Sequence, residues 1–463
     1  MRRRSIAREV VCLGWIVATA AGCGGGDEQL VNTATGTAVG PVSWTKVLGG
    51  QLAQSGWLVA TSKTGQIIVA GTMQGRANFA EAGEIDTVSD SDIFIAWINR
   101  DGKVARVRRF GETGEHVPTG LAVDSAGGVV LAGIAVGSIN FGGGTIDSQD
   151  ADGFVAAFGP DGEYRFSVKA TGAGGQTSGQ LALADDGSIL LSGTFQGDID
   201  IGGKTLTSAG ETDLFVAKIS AAGSTIWARA FGDARTEADA SLALGPQGQV
   251  FVSGFYQGAP DLGDGPLPDT GATADGQLLA ALDTDGNLSW SRGVVHQFGY
   301  FAFGVQVDEA GSPWLVGPCA GEVDLFGTKI AASTQGIAIA KLHVTGEPLS
   351  TQVFEAESPG YVQAAQARGG GIVIAGDFED TIDIGGRTLT SAGQSDLFLV
   401  WLDSEGRITR QERTGGAGTE RIGSVSMLPT GQVVVTGSFE GKLNAGSASY
   451  TSSDPDGYVM MLN

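Results

Sequence analysis

Acidic side chains recur along this chain at a fixed phase. An aspartate precedes a short apolar run at Asp92, Asp152, Asp213, Asp275, Asp396 and Asp456, and Gly336 holds the seventh position. Two kinds of chemistry suit such carboxylates: binding a cation, or accepting backbone N–H groups where a strand begins. Calcium takes roughly six to eight oxygen ligands. The pairs Asp90/Asp92, Asp150/Asp152 and Asp454/Asp456 each supply two carboxylates. Recurrence from copy to copy favours the structural role, since short acidic side chains readily bond nearby backbone. Calcium is kept as the alternative, and no other cofactor is expected.

His116, His296 and His343 fall in different copies and lack metal-ligand spacing, so no metal site is assigned. The chain has no nucleophile elbow, phosphate loop or HExxH, so no catalytic residue is assigned and a non-enzymatic role is expected. The fifth copy stands apart. It loses the aspartate at Gly336, carries SPWLVGPCAG where other copies read like GSILLSG, and gathers aromatic residues in HQFGYFAF. His296, Phe298, Tyr300 and Phe301 are therefore the candidate ligand-binding residues, since exposed rings stack on sugars or anchor protein partners. The competing reading packs these rings inward. Cys319, within VGPCAG, reads as a small buried apolar residue.

The elements that must position these residues repeat as well. Gly65, Gly127, Gly187, Gly248, Gly311, Gly370 and Gly431 follow one another at intervals of 59 to 63 residues. The stretch IGGKTLTSAGETDLFVAK (201–218) returns as IGGRTLTSAGQSDLFLVW (384–401), three periods later. Each copy reads as four short strands, with Asp-Gly turns before the last strand at Asp101-Gly102, Asp161-Gly162 and Asp285-Gly286. Gly makes up 76 of 463 residues, about twice its usual share, which signals turns rather than helices. The expected fold is all-β: a seven-bladed β-propeller, four strands per blade, over residues 43–463. SWTKVLGG at Ser43 matches the fourth strand of other copies, and the chain ends on a third strand, DGYVMMLN. The N-terminal strand should therefore complete the last blade and close the ring. Trp44, Trp227 and Trp290 share one position after the turn and read as packing residues. The long hairpins and the inter-blade connections share a face, and ligand sites use long loops on rigid scaffolds.

GLAVDSAGGVVLAG and DLFVAKISAAGSTIWARAFG resemble the repeats of bacterial secreted β-propeller (SBBP-type) proteins, across essentially all of residues 43–463. That resemblance implies an exported propeller and is nearly silent on activity. Residues 1–22 read as a signal peptide: MRRRSIAR is basic, VVCLGWIVATAA is too short to span a bilayer, and Ala20-Ala21-Gly22-Cys23 resembles the lipobox of bacterial lipoproteins. The resemblance implies lipidation at Cys23, a tether over residues 23–42, and a bacterial cell envelope, with Gly24 favouring the outer membrane. The net charge of −23 argues against nucleic acid as a partner. The expected function is a lipid-anchored binding or scaffold module with an unassigned protein or glycan partner. Two alternatives stand beside it. One is a propeller-type hydrolase or lyase acting on polysaccharide. The other is an envelope assembly scaffold: DTDGNLSW (283–290) resembles the repeat of quinoprotein-like outer-membrane lipoproteins without matching it.

Overall fold

A computed structural model describes residues 42–50, 55–172, 174–271, 274–296 and 303–463. Cys23, the expected lipidation site, and the candidate ligand residues Phe298, Tyr300 and Phe301 lie outside the described residues. His296 ends a strand, paired in register with Asp275.

The repeating unit is an antiparallel quartet. Gln176–Leu183, Ile189–Phe195, Asp213–Ile219 and Thr225–Phe231 pair in that order, as do Ser55–Thr61, Ile67–Met73, Asp92–Ile98 and Val104–Phe110. Second strands such as IIVAGTM and ILLSGTF are buried at every position. Continuous apolar runs of this kind sit between neighbouring sheets rather than on one face of a sheet. The first strand of each quartet lies beside the first strand of the next, and Thr419–Met427 returns beside Ser55–Thr61. Thr61 Oγ1 donates to Met427 O at 2.8 Å across that junction, and Thr436 Oγ1 donates to Trp57 O at 3.2 Å.

The N-terminal strand Val42–Gly50 pairs antiparallel with Ala448–Leu462, matching Trp44 to Met461 and Leu48 to Gly457. The last quartet thus takes three strands from the C-terminus and one from the N-terminus. Leu48 is buried against Trp57, Val459 and Met461.

The long hairpins depart from the expected pattern. ILLSGTFQGDIDI reads as one strand in the sequence; it splits into Ile189–Phe195 and Asp198–Ile201. The second piece pairs with the preceding quartet's outer strand, Ala170 to Ile201 and Gly172 to Ile199. Gly49 and Gly50 pair likewise with Asn78 and Ala77, and Glu355 with Asp383. Each of these hairpins lies along a neighbour's edge, which protects an otherwise open strand.

On the tight-turn face, tryptophans join quartets. Trp44 Nε1 donates to Arg100 O (2.8 Å), Trp227 Nε1 to Thr284 O (3.2 Å) and Trp290 Nε1 to Val344 O (2.9 Å). Each indole lies on the next turn's glycine: a Cβ at Gly286 would stand 2.9 Å from the Trp227 ring. That glycine also has φ +77°, so a side chain there meets both strain and collision. Trp227→Phe keeps most of the packing and loses the bond. It should cost about 1 kcal/mol in urea denaturation, with little change in the m-value.

Candidate functional site

The long-loop face is built around seams, where the third strand of one quartet meets the first strand of the next. The repeat aspartates mark them. Asp92 is fully buried; its Oδ2 accepts Val88 N at 2.9 Å and Arg109 Nη1 at 2.6 Å, and its Oδ1 accepts the Ser89 hydroxyl. Asp213 accepts Ala209 N at 2.8 Å, Asp396 accepts Ala392 N at 3.1 Å, and Asp456 accepts the Ser452 hydroxyl at 2.7 Å. A carboxylate four residues on thus holds the turn that enters the third strand. Asp152 is buried too, and burial pushes its carboxyl up while Lys169 opposes the shift.

Asp275 does not belong in this set. Phe195 pairs with Asp213 and Phe378 with Asp396, but the equivalent Tyr256 pairs with Gly276. Asp275 is therefore one residue out of register and only half-buried. A Cβ at Gly276 would meet the Tyr256 ring, which fills the vacated volume and donates its hydroxyl to Pro268 O at 2.8 Å. In the next quartet Gly336 does hold the position, opposite Cys319. Cys319 is buried, and burial pushes its thiol up to about 12, which leaves it a protonated packing residue.

Four of the seams have a second buried polar group whose role sequence reasoning overlooked. His116, Gln176, Glu237 and Glu420 each lie 24 residues after a repeat aspartate, and all four are fully buried. Backbone bonds hold the strands together beside them: Glu237 N donates to Thr212 O at 2.8 Å and Glu420 N to Ser395 O at 3.1 Å. Burial lowers the His116 pKa, so the imidazole stays neutral beside Asp92. Burial pushes both Glu237 and Glu420 up to about 8. The missed signal was the constant 24-residue offset. It is hard to find because the residue type changes at each copy.

A further carboxylate, Asp377, is fully buried and pushed up by burial to about 6, against the opposing pull of Arg421. Arg421 Nη1 donates to it at 2.8 Å and Ile422 N at 3.1 Å. This group bridges two quartets in the manner of the repeat aspartates.

The aromatic connection is bracketed by fixed residues. Phe303 is buried; its N–H donates to Gln277 Oε1 at 2.8 Å, and its carbonyl accepts Ser253 Oγ at 2.7 Å. The inward reading therefore holds for Phe303. The long-loop face also carries a groove of about 410 Å³ lined by Arg108, Arg109, Phe110, Glu112, Asn140 and Phe141. On the opposite face, Lys63, Glu309, Arg368 and Pro429 line a concavity of about 210 Å³ where first strands from several quartets converge. His343 lies on that face, in a turn with its Nδ1 2.8 Å from Thr345 Oγ1. Among the described residues, no group of three or more His, Cys, Asp or Glu side chains is placed to hold a metal ion.

These features define an all-β protein of propeller-like build. No family model matches the chain, and no curated protein matches it. Solved structures similar to it include a protein of unknown function from Dyadobacter fermentans, 11% identical, covering 91% of this chain and 99% of the other, with a TM-score of 0.41. A polysaccharide lyase is 12% identical over 90% of this chain and 91% of its own, with a TM-score of 0.46. The NanB sialidase of Streptococcus pneumoniae is 9% identical over 91% of this chain and 70% of its own, at 0.40.

Proposed function

We propose that the chain is a seven-bladed β-propeller, closed by its N-terminal strand and tethered through a lipid on Cys23 at the bacterial cell envelope. There it serves as a binding or scaffold module for a glycan or protein. The observation that carries this reading is the use made of the repeat carboxylates. Asp92, Asp213 and Asp396 are buried at equivalent seams and bonded to backbone, which makes them part of the frame. Recognition then falls to side chains that differ between copies, and the aromatic run after His296 is the largest such departure. Alternation between a repeated frame and one divergent connection is how rigid scaffolds carry binding loops.

Two measurements test this. Labelled fatty acid should enter the wild type and not Cys23→Ser, which should move to the soluble fraction or stay uncleaved; no label in the wild type removes the anchor. A glycan array probed with the purified protein should give binding that Phe298→Ala and Tyr300→Ala abolish at unchanged Tm. Losses of about 3–5 kcal/mol in both variants would place the rings in the core instead. Release of shortened sugars from a bound polysaccharide would favour the hydrolase or lyase.

A further inference from the structure

The seams are alike in plan and unlike in charge. In four of them, a residue of the fourth strand faces the third-strand phenylalanine two positions after the repeat aspartate. Arg109 faces Phe94, Lys169 faces Phe154 and Arg413 faces Phe398. Arg109 pairs with Asp92, Arg413 pairs with Asp396, and Lys169 acts on Asp152. At the seam of Asp213 the same place, opposite Phe215, is Ala230. Among the described residues no Lys or Arg forms an ion pair with Asp213 or Glu237, whereas Asp233 adds negative field to both.

The two carboxyl groups at this seam converge. A Cβ placed on Gly232 would stand 2.6 Å from Asp213 Cγ and 2.7 Å from its Oδ1, and closer still to Glu237 Oε2. Asp213 Oδ2 is used by Ala209 N and Glu237 Oε2 by Asp233 N. That leaves Asp213 Oδ1 and Glu237 Oε1, on residues 1% and 0% exposed, buried without a hydrogen-bond partner. Buried acceptor oxygens with nothing to accept are costly, and two from adjacent carboxylates more so.

At the Asp396–Glu420 seam Asp396 Oδ1 and Glu420 Oε1 are buried without a partner in the same way, and there Arg413 adds a positive charge beside the pair. One proton between the carboxyl groups, with Arg413 beside them, leaves that seam neutral. The same proton at Asp213–Glu237 leaves one buried negative charge uncompensated, because Ala230 replaces the arginine. A dication balances both carboxylates at once.

We infer that the Asp213–Glu237 seam is a binding site for a hard divalent cation of calcium's size, held by Asp213, Glu237 and backbone or water oxygens. Calcium suits this site better than magnesium because it accepts irregular oxygen shells, whereas magnesium demands a near-ideal octahedron. The ion takes the place of the guanidinium found at the sister seams. It ties the quartet of Gln176–Phe231 to that of Glu237–His296.

The test is calcium titration of the EDTA-treated full-length protein, read by calorimetric binding and by Tm at pH 7.5. The wild type should bind one ion at this seam, with Tm rising to a plateau by about 10 mM, tenfold above the weakest calcium modules. Glu237→Gln should abolish that response, since its neutral amide cannot supply the second charge that balances the ion. Ala230→Arg should do the same by supplying the missing guanidinium; if it fails to fold, Glu237→Gln alone decides. Glu420→Gln, at a seam that already has its arginine, should leave the calcium response intact. A wild type indifferent to calcium, or a response unchanged in Glu237→Gln, overturns the site. Tighter binding of magnesium than calcium overturns the choice of ion.

Discussion

A chain lacking residues 43–49 is expected to lose its soluble monomer. The strand Val42–Gly50 makes six register pairs with Ala448–Leu462 and continues into the hairpin at Ala77 and Asn78. Without it, the strand carrying Val459 and Met461 becomes an open edge, and Trp57 loses Leu48 from its contact surface. Burying a leucine stabilises by about 1.5–3 kcal/mol, and each backbone bond by roughly 1 kcal/mol net. The combined loss is on the order of 5–10 kcal/mol, comparable with the whole stability of many domains. The exposed edge should also recruit other chains. Light scattering after size exclusion should show aggregates, and the soluble remainder should melt without a cooperative transition. A monomer with the wild-type Tm would mean that the N-terminal strand is dispensable.

Stability should also fall as the solution becomes mildly alkaline. Burial raises the Glu420 carboxyl from an ordinary value of 4.5 to about 8. The groups around it are Asp396, which shares its proton, Arg413, the N–H of Gly416 and the buried Tyr458. The folded protein keeps a proton here that the unfolded chain releases above pH 4.5. The stabilisation is therefore complete below about pH 4.5, and is lost as pH rises towards 8. Each tenfold difference in proton affinity between the folded and unfolded chain is worth about 1.4 kcal/mol, so this one group can remove up to roughly 4 kcal/mol across the window. Glu420→Gln carries a neutral side chain at every pH. Its Tm should match the wild type near pH 5 and exceed it clearly at pH 8.5. Parallel Tm curves for the two proteins between pH 5 and 8.5 would show that Glu420 is already ionised in the folded state.

The two predictions draw on different layers of information. The strand deletion was legible in the sequence, because the phase of the repeat at Ser43 and at Asn463 already demanded a partner. Glycine spacing, Asp-Gly turns and apolar alternation are local, and local spacing survives in one dimension. Cys319 and the turn-side tryptophans were readable for the same reason: residue type and position in the repeat sufficed. The register of Asp275 was not. A one-residue shift is invisible until Tyr256 is seen opposite Gly276, with its ring in the space a side chain would need.

The seams belong wholly to the tertiary structure. Asp213 and Glu237 lie in different quartets, and what brings them together is the packing of one sheet on the next. The sequence shows that an aspartate recurs. It does not show that His116, Gln176, Glu237 and Glu420 answer it, because those residues share burial rather than chemistry. The long hairpins carry the same lesson. Their length suggested free loops for a ligand, yet several lie along a neighbour's edge strand. Strand order and alternation are decided by near neighbours in the chain. Charge balance in a buried seam is decided by groups that meet only after the sheets have packed, and there a single alanine at position 230 changes what the site requires.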